Sequence, residues 1–564
     1  MKGRLFLASS ITIGILVTFV FFVVLLASFA SGIINGGVMI ILTVIISLIS
    51  WLVSPWFTDL IHKWVYKFRI MEFDELTRRS SQTARVLKEA CERNKINIPM
   101  LRILDDMNPT AYCYGSFPSN SRIVVSEGLF HYLNEEEVAA VYCHELGHIK
   151  NLDFIVMTVA NTLLMILYEI YVIFTRIRTR GKNNPLPIIG LISLVFWWIG
   201  SYLVLYLSRT REYMADRFSG IQTSNPNALA TALVKIGYGI AAEPDTPLSS
   251  RLMGSVRALN IMDHKGAETV GSAVRLSTDE TKPAAGKVPA FDTRRVSKIF
   301  LFDIFNPWAS IVQLGSTHPL TGKRIKALME LAGGMNRPQL FNFEEIAIDG
   351  RSLDRTRLYG KFFFEILIYF APIIGIVAGL LLTLVDQRLI GMIVLTFGLG
   401  LLTKGIYRFP SIKNPEPTTV LDLMSDPYAS PLKGKPVIVD GVIIGRAAAG
   451  SFFGEDMVIH DSSGGLITLN YESPVPIFGN LFFGYRRTRD MINQKIKATG
   501  WFRRKVSQLI DLKTIETSDR SFRSYTRFWS LVLGIIITVV GIAVAMASIA
   551  ALSGPTGTGS FGGV

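Results

Sequence analysis

Three residues within one stretch of five have the types and the spacing that a zinc peptidase needs. The stretch reads His144-Glu145-Leu146-Gly147-His148. On a helix, residues four apart lie on one face, so both imidazoles can bind one metal ion, and zinc accepts neutral nitrogen ligands in a tetrahedral arrangement. Glu145 lies beside the pair, where it can reach a water on the metal. The alternative is a surface helix with two solvated histidines, although a chance match in a chain with so few histidines is expected only roughly a few times per thousand.

A catalytic zinc site also needs a third protein ligand and an open position for water. Glu212 is the candidate, in the string Arg211-Glu212-Tyr213-Met214-Ala215-Asp216 that follows an apolar run. Asp216, one helical turn later, could accept a hydrogen bond from a ligand imidazole and fix its tautomer. Taken alone the string is equally typical of a salt-bridged helix end, and only the two histidines make it specific.

The composition indicates a protein built into a membrane. Of 564 residues, 49% are hydrophobic and 18% are charged, and the apolar residues are clustered. Basic clusters at 486–489, 503–505 and 520–527 precede the last apolar run, which is typical of a cytoplasmic face near anionic lipids. No nucleic-acid motif accompanies the net charge of +14, so nucleic acid is not an expected partner. Three cysteines without CxxC spacing argue against a disulfide framework.

Seven apolar runs are candidate membrane spans, because a span needs roughly 20 apolar residues. They are residues 5–30, 33–53, 154–174, 186–207, 362–385, 389–406 and 529–550. The start Met1-Lys2-Gly3-Arg4 favours a cytoplasmic N-terminus, and alternation then places the HExxH string and Glu212 on the cytoplasmic side of a cell membrane. Four basic residues between the third and fourth runs conflict with this order. Those two runs are therefore either spans or buried or re-entrant helices.

Helices are predicted over 74–94 and over 134–150, where Asn134 and Glu137 form a capping-box pattern. Short strands are predicted at 103–104, 110–114 and 122–126. Residues 436–515 hold five or six short β-rich runs separated by turn residues, which predicts a small barrel of the OB type. The apolar stretch 474–485 within it is expected to touch the membrane surface.

The expected fold is membrane α-helical, with a zincin-like α+β catalytic domain attached to multiple transmembrane helices and a C-terminal small β-barrel (OB-like) domain. The expected regions are an N-terminal transmembrane hairpin (1–54), a catalytic region with HExxH (55–153), the third and fourth apolar helices (154–208), a catalytic region with the third zinc ligand and a mobile loop at 242–296 (209–340), a transmembrane pair (341–410), the cytoplasmic barrel (411–527) and the last transmembrane helix (528–552).

Several short strings occur in a specific order along the first 335 residues. They are Ser126-Glu127-Gly128-Leu129 before the HELGH helix, the string at 211–216, and Ser316-Thr317-His318-Pro319 with Arg324. With the N-terminal hairpin, these strings resemble the HtpX family of membrane metallopeptidases, relatives of the CAAX prenyl proteases. The resemblance implies one Zn²⁺ per chain bound by His144, His148 and Glu212, with Glu145 as general base. It also implies that His318 stabilises the oxyanion and that Arg324 orients groups or stabilises charge.

The family also carries an Asn-Ala-Phe-type string on a strand that edges the cleft and engages substrate backbone. The corresponding string here is Thr110-Ala111-Tyr112-Cys113-Tyr114-Gly115, with Thr110 in the position of the asparagine. Asn108, two residues earlier, is the alternative. The resemblance thus implies peptide binding at Asn108, Thr110, Ala111 and Tyr112, and it says nothing about residues beyond about 340.

The function expected from these features is zinc-dependent cleavage of damaged or misfolded membrane proteins or of their cytosolic loops. The expected partners are a peptide or protein substrate, membrane lipids and a protein docked on the barrel. A CAAX-type prenyl protease is the second enzyme, although its HExxH follows most of its spans, whereas here two runs precede the motif. A non-enzymatic scaffold that binds partners through the barrel would be expected to lose the general base or a ligand, and here neither is lost. A transporter would be expected to show repeated span pairs with intramembrane ionisable residues, and Glu169 and Glu365 are too few for that class.

Overall fold

The computed structural model describes residues 15–16, 18–20, 22–23, 35–61, 63, 68–176, 185–242, 291–349, 353–413, 415–446, 455–463, 465–505 and 508–552. Within it the chain forms two compact units. The first comprises Met1–Ile304 and Ala309–Asp349, and the second comprises Phe305–Trp308 and Gly350–Val564. The finer division into seven regions stays a prediction.

The first unit combines helices with one small sheet. The described helices are α1 (Asn35–Ile61), α2 (Phe73–Arg79), α3 (Ser81–Asn94), α4 (Glu127–Tyr132), α5 (Glu135–Lys150), α6 (Asp153–Arg176), α7 (Leu186–Gln222), α8 (Pro226–Ala242), α9 (Thr293–Phe305), α10 (Trp308–Val312), α11 (Thr321–Gly334) and α12 (Phe343–Asp349); α9 and α10 share their end residues with the second unit. The sheet consists of β1 (Arg69–Ile70), β2 (Met100–Leu104), β3 (Ala111–Tyr114) and β4 (Arg122–Ser126). Its order is β1-β2-β4-β3, so β3 is an edge strand.

One predicted helix is two helices in the structure. Residues 74–94 divide into α2 and α3 because Ser80 between them is extended, with φ −155° and ψ 93°. The Ser80 side chain accepts a hydrogen bond from the Thr83 backbone and so caps α3. The predicted loop 242–296 lies outside the described residues from 243 to 290, and its last residues begin α9 at Thr293.

Four of the described helices are long and apolar enough to cross a membrane. They are Asp153–Arg176, Leu186–Gln222, Arg355–Val385 and Thr526–Ala550, which coincide with four of the seven predicted runs. The helix over the second run contains a shorter apolar segment, Val44–Leu60, and most of the first run lies outside the described residues. Helices α6 and α7 pack together around a core that includes Leu16, Leu167 and Leu207.

The second unit contains three long apolar helices and a barrel. Its helices are α13 (Arg355–Val385), α14 (Met392–Arg408), α15 (Val420–Met424), α16 (Phe478–Phe482), α17 (Thr488–Met491) and α18 (Thr526–Leu552). Helices α14 and α18 pack closely because Gly398 has no side chain. A Cβ at this position would lie only 2.6 Å from the Thr538 nitrogen. Glu365, which falls within an apolar run, is fully buried on α13 and accepts hydrogen bonds from Trp308, Tyr407 and Ser430.

Five strands close the barrel. The strands are β5 (Lys435–Arg446), β6 (Met457–Asp461), β7 (Leu466–Asn470), β8 (Lys495–Arg504) and β9 (Gln508–Thr517), with β10 (Ser521–Arg523) paired to β9. The order is β5-β6-β7-β9-β8, and β8 pairs back to β5, so a small barrel is confirmed. Two predicted short strands, at 437–439 and 441–445, are one continuous strand, β5, with a register shift between Ile443 and Gly445 against β6.

Candidate metal centre

Helix α5 carries the HExxH string and begins with the predicted capping box. The Asn134 side chain accepts a hydrogen bond from the Glu137 backbone, and the Glu137 carboxylate accepts one from the Asn134 backbone, both at 2.9 Å. Three glutamates lie in the first turn, where their negative charge interacts favourably with the positive end of the helix dipole. The cap fixes where the helix that carries His144 and His148 begins.

Close packing between α5 and α7 brings the third acidic residue to the two histidines. A Cβ on Gly147 would lie 2.9 Å from the Ala215 Cα, so only glycine allows the helices to approach this closely. His144 Nε2 and His148 Nε2 are 3.1 Å apart, and each lies 3.6 Å from a carboxylate oxygen of Glu212. Their donor atoms all lie within 4.8 Å of one another, which is the arrangement of a three-ligand metal site.

A carboxylate lies at the Nδ1 atom of each histidine, on the opposite side of the ring from the Nε2 atoms that face Glu212. Asp216 Oδ1 lies 3.0 Å from His144 Nδ1, and Asp153 Oδ2 lies 2.5 Å from His148 Nδ1. A carboxylate at Nδ1 holds the proton on that nitrogen and leaves the Nε2 lone pair for a metal. Burial lowers the pKa of His144 to about 3, which keeps its ring neutral. Asp216 thus lies within reach of the His144 ring, and its role in fixing the tautomer stays a prediction.

Asp153 was missed by the sequence analysis. It begins α6, five residues after His148, and it pairs with Arg211, which also donates to the Asn151 carbonyl at 2.7 Å. The signal was a carboxylate one turn beyond the HExxH string together with an arginine adjacent to Glu212. Neither residue stands out alone, because an acidic residue at a helix start is an ordinary feature.

Glu145 is buried beside the metal cluster without a hydrogen-bond partner. Its residue is 1% exposed, and among the described residues neither of its carboxylate oxygens has a partner. Burial raises the pKa of Glu145 above its usual range. A bare buried carboxylate is costly, so this arrangement fits a group that awaits a water or a substrate proton. The two histidines, Glu212 and this unpartnered acid together fit zinc with an open position for water.

The structure places His318 and Arg324 against the same carboxylate. His318 Nε2 lies 3.6 Å from Glu212 Oε1, and the residue is 4% exposed. Arg324 binds both oxygens of Asp216 at 2.6 and 2.9 Å and lies 3.3 Å from Glu212. Although burial opposes it, the carboxylates of Asp216 and Glu212 raise the pKa of Arg324. The proposed roles of both residues stay predictions.

The predicted substrate edge is the edge strand β3, whose four residues are buried. Ala111 and Tyr112 lie on β3, and the next residue, Cys113, contacts the Glu145 carbonyl at 3.5 Å. Thr110 donates its backbone N–H to Ser126 Oγ at 2.9 Å, and Ser126 Oγ donates to the Asn108 carbonyl at 2.7 Å. The Asn108 side chain is turned toward Asp106 at 3.2 Å. Both candidate residues are thus fixed beside β4, and neither is shown to bind substrate.

A cavity of about 480 Å³ adjoins the metal cluster. Its walls come from α1, β3, α5, α6 and α7, and they include Tyr114, His148 and Glu212. The cavity therefore connects the ligand atoms to the edge strand, where an extended peptide could lie. Peptide addition to a free strand edge is a common mode of recognition.

Comparison with known proteins agrees with the motifs. The model of peptidase family M48 matches residues 77–332. A protease HtpX homolog from Pyrococcus abyssi is 33% identical over 220 residues, covering 37% of this chain and 73% of that protein. One from Methanothermobacter thermautotrophicus is 36% identical over 151 residues, covering 27% of this chain but 57% of its own length.

Among solved structures, S. mikatae Ste24p is 15% identical and covers 57% of this chain and 63% of that chain, with a TM-score of 0.31. The family match contains His144, Glu145, His148, Glu212 and Arg324, and it ends before the second unit begins its long helices. The chain therefore belongs to peptidase family M48, as an HtpX-like metalloprotease.

Proposed function

We propose that the protein is a membrane-embedded zinc endopeptidase with one Zn²⁺ per chain, held by His144, His148 and Glu212. M48 peptidases depend on zinc, and the described residues contain this one three-ligand cluster. The observation that carries the proposal is the unpartnered, buried carboxylate of Glu145 beside these ligands. Zinc bound by these residues would act as a Lewis acid for the scissile carbonyl and would lower the pKa of water toward ~7.

The residues of the chain then divide the remaining work. Glu145 accepts a proton from the attacking water and passes it to the leaving amine, which its raised pKa favours. His318 donates to the developing oxyanion, a contribution of about 3–4 kcal/mol for one such donor. Arg324 holds Asp216, and Asp216 holds the His144 ring. The backbone of β3, with Asn108 and Thr110 at its start, aligns the peptide.

For the finer fold we propose a zincin-like catalytic domain and an OB-like barrel. The first is supported by α5 packed on β3, an edge strand antiparallel to β4. The second is supported by five closed strands with helical segments between the third and the fourth. The barrel is also proposed as a docking site for a protein partner.

We propose damaged or misfolded membrane proteins, or their cytosolic loops, as substrates, with the catalytic site on the cytoplasmic side of the cell membrane. The lining of the cavity by α6 and α7, two of the candidate spans, supports a substrate that is itself in or near the bilayer. Basic clusters near the last span support the orientation.

The proposal is tested with purified full-length protein, unfolded casein and a chelator. Cleavage should require zinc, and Glu145→Gln should reduce it by about 10²–10⁴-fold while zinc content stays near one per chain. Glu136→Gln is the matched control, because it makes the same change at an exposed position on the same helix. Undiminished cleavage by Glu145→Gln would sink the mechanism. Absence of zinc would favour the scaffold, and cleavage confined to a prenylated CAAX peptide would favour a prenyl protease.

A further inference from the structure

A cluster of exposed apolar side chains projects from the barrel between β7 and β8. This segment, residues 474–482, is called the aromatic loop below. Val475 is 56% exposed, Ile477 69%, Phe478 78% and Phe482 56%. So much apolar surface at one place on a domain is typical of a site that contacts another apolar phase.

The loop is held in shape by its own polar contacts. The Asn480 side chain is 9% exposed; it accepts a hydrogen bond from the Ser473 backbone at 2.8 Å and donates to Glu472 at 2.9 Å. Ile477 has φ 66° and ψ −75°, a conformation that a β-branched residue rarely adopts and that costs folding free energy. The fold thus maintains a strained turn whose result is the outward display of Ile477 and Phe478.

Direct hydrogen bonds fix the base of the loop to the first turn of α18. The Tyr525 backbone donates to the Glu472 carbonyl at 2.8 Å, and Trp529 Nε1 donates to the Ser473 carbonyl at 3.1 Å. Helix α18 is one of the four helices long and apolar enough to span a membrane. If α18 enters the bilayer at Thr526, the base of the aromatic loop lies at the same depth, within the membrane interface.

The chemistry of the neighbourhood fits this depth. Aromatic side chains concentrate at the boundary between headgroups and hydrocarbon, and Phe528, which contacts Trp529 in the first turn of α18, is 52% exposed. Exposed Arg523 and Arg527 flank the start of α18 and can pair with anionic headgroups. An apolar tip bordered by arginines matches a lipid surface better than it matches a water-exposed domain face.

We propose that the aromatic loop inserts into the interfacial layer of the bilayer, beside the point where α18 enters it, and so holds the barrel against the membrane surface. The occupant of this apolar patch is lipid. The proposal is independent of the peptidase function, because all the residues it uses lie in the second unit.

The test places an environment-sensitive fluorophore on an added cysteine in the full-length protein. The native Cys91, Cys113 and Cys143 are buried, so labelling is directed to Phe478→Cys. The matched control is Ile444→Cys, which is 46% exposed on β5 of the same barrel. The Gly434 backbone, just before β5, donates a hydrogen bond to the Arg408 carbonyl at the end of α14. Ile444 lies ten residues further along the chain, and ten residues of strand span roughly 30 Å. This separation from the end of an apolar helix is the reason for choosing Ile444 as the control.

Both proteins are reconstituted in vesicles of phosphatidylcholine and phosphatidylglycerol, with and without a lipid that carries a nitroxide near the headgroup. The expected result is a blue-shifted emission at position 478 and loss of most of its fluorescence with the nitroxide lipid, with neither change at 444. Val475→Cys should behave like Phe478→Cys, which guards against a local effect of one label. Equal and weak quenching at 478 and 444 overturns the proposal. A blue shift at 478 that needs a high protein-to-lipid ratio and shows no nitroxide quenching also overturns it, because the occupant is then a second copy.

Discussion

Two clusters of buried charge, one in each compact unit, combine carboxylates with arginine and satisfy them to different degrees. In the barrel, Asp511 is fully buried, Arg503 donates to its two oxygens at 2.7 and 2.8 Å, and Asn470 adds a bond at 2.7 Å. Although burial opposes it, Arg503 and Arg408 hold the pKa of Asp511 below its usual range. At the metal cluster, Glu145 is as deeply buried, and neither of its oxygens has a hydrogen-bond partner among the described residues.

This difference in hydrogen bonding distinguishes a buried charge that stabilises the fold from one that is available for chemistry. A buried charge that is fully hydrogen-bonded costs little net free energy, whereas a bare one costs the full desolvation penalty. The barrel cluster therefore needs no ligand to be stable. Under the proposed function, a cation and water would supply the contacts that the metal cluster lacks, so its residues should matter for binding and catalysis more than for folding.

The largest expected effect is the loss of metal binding in Glu212→Gln. The change removes the one anionic ligand of the cluster, so zinc affinity should fall by more than the ~10–100-fold typical of residues behind the ligands. Zinc at 100 times its Kd should stabilise the native protein by about 2.7 kcal/mol and should leave the variant almost unchanged. Thermal unfolding with and without zinc measures this, with Glu136→Gln as control. Equal stabilisation of Glu212→Gln and the native protein would show that the metal lies elsewhere.

In the barrel, Asp511→Asn should act on stability alone. It leaves the buried Arg503 without its counter-charge and weakens the pairing of the half-buried Arg408, and removing one partner of a buried pair costs about 3–5 kcal/mol. Denaturant unfolding in detergent measures the loss, while zinc content per folded chain should stay unchanged. The companion variant is Glu145→Gln in zinc-free protein, which should lose no stability because the acid has no bond to break. Equal destabilisation by the two changes would contradict the distinction between the clusters.

Local rules predicted the parts of the site that lie within one helix. The Asn134 cap and the paired faces of His144 and His148 follow from spacing alone, and the structure has both. Contacts between helices were harder: the approach of α7 at Gly147 depends on a missing Cβ opposite Ala215, which no period in the sequence records. Arg324 entered only through family resemblance, and its contact with Asp216 joins residues far apart in the chain.

The fold shows the same limit. Periodicity and turn residues predicted a closed barrel and the apolar helices, yet the division at Ser80 was missed because a single cap interrupts an otherwise continuous helical pattern. In β5, Asp440-Gly441 resembles a turn in sequence, whereas pairing with both β6 and β8 keeps the strand extended. A local cap thus decided the first case, and tertiary strand pairing decided the second over local preference.

Asp153→Asn tests whether the groups behind the ligands belong to the chemical cluster. An amide still accepts from His148 Nδ1 but loses the ion pair with Arg211, so it should weaken zinc binding by about 10–100-fold. As a positioning residue, Asp153 should affect zinc affinity and kcat while KM for casein stays similar. Zinc titration and steady-state kinetics separate these effects, and Asp74→Asn on exposed α2 is the control. A loss of stability with unchanged zinc affinity would assign Asp153 to the structural class instead.

Asn134→Ala should give the smallest effect and should fall wholly on folding. It removes the capping box of α5, and loss of such a cap costs ~1 kcal/mol. Since the cap lies at the far end of the helix from His148, zinc affinity per folded chain should be unchanged. Asn134→Ser keeps a capping oxygen and should restore most of the lost stability, as measured by denaturant unfolding. If Asn134→Ala instead lowered zinc affinity at full stability, satisfied groups in the first unit would also tune the metal, and the separation between paired and unpaired charge would no longer describe this site.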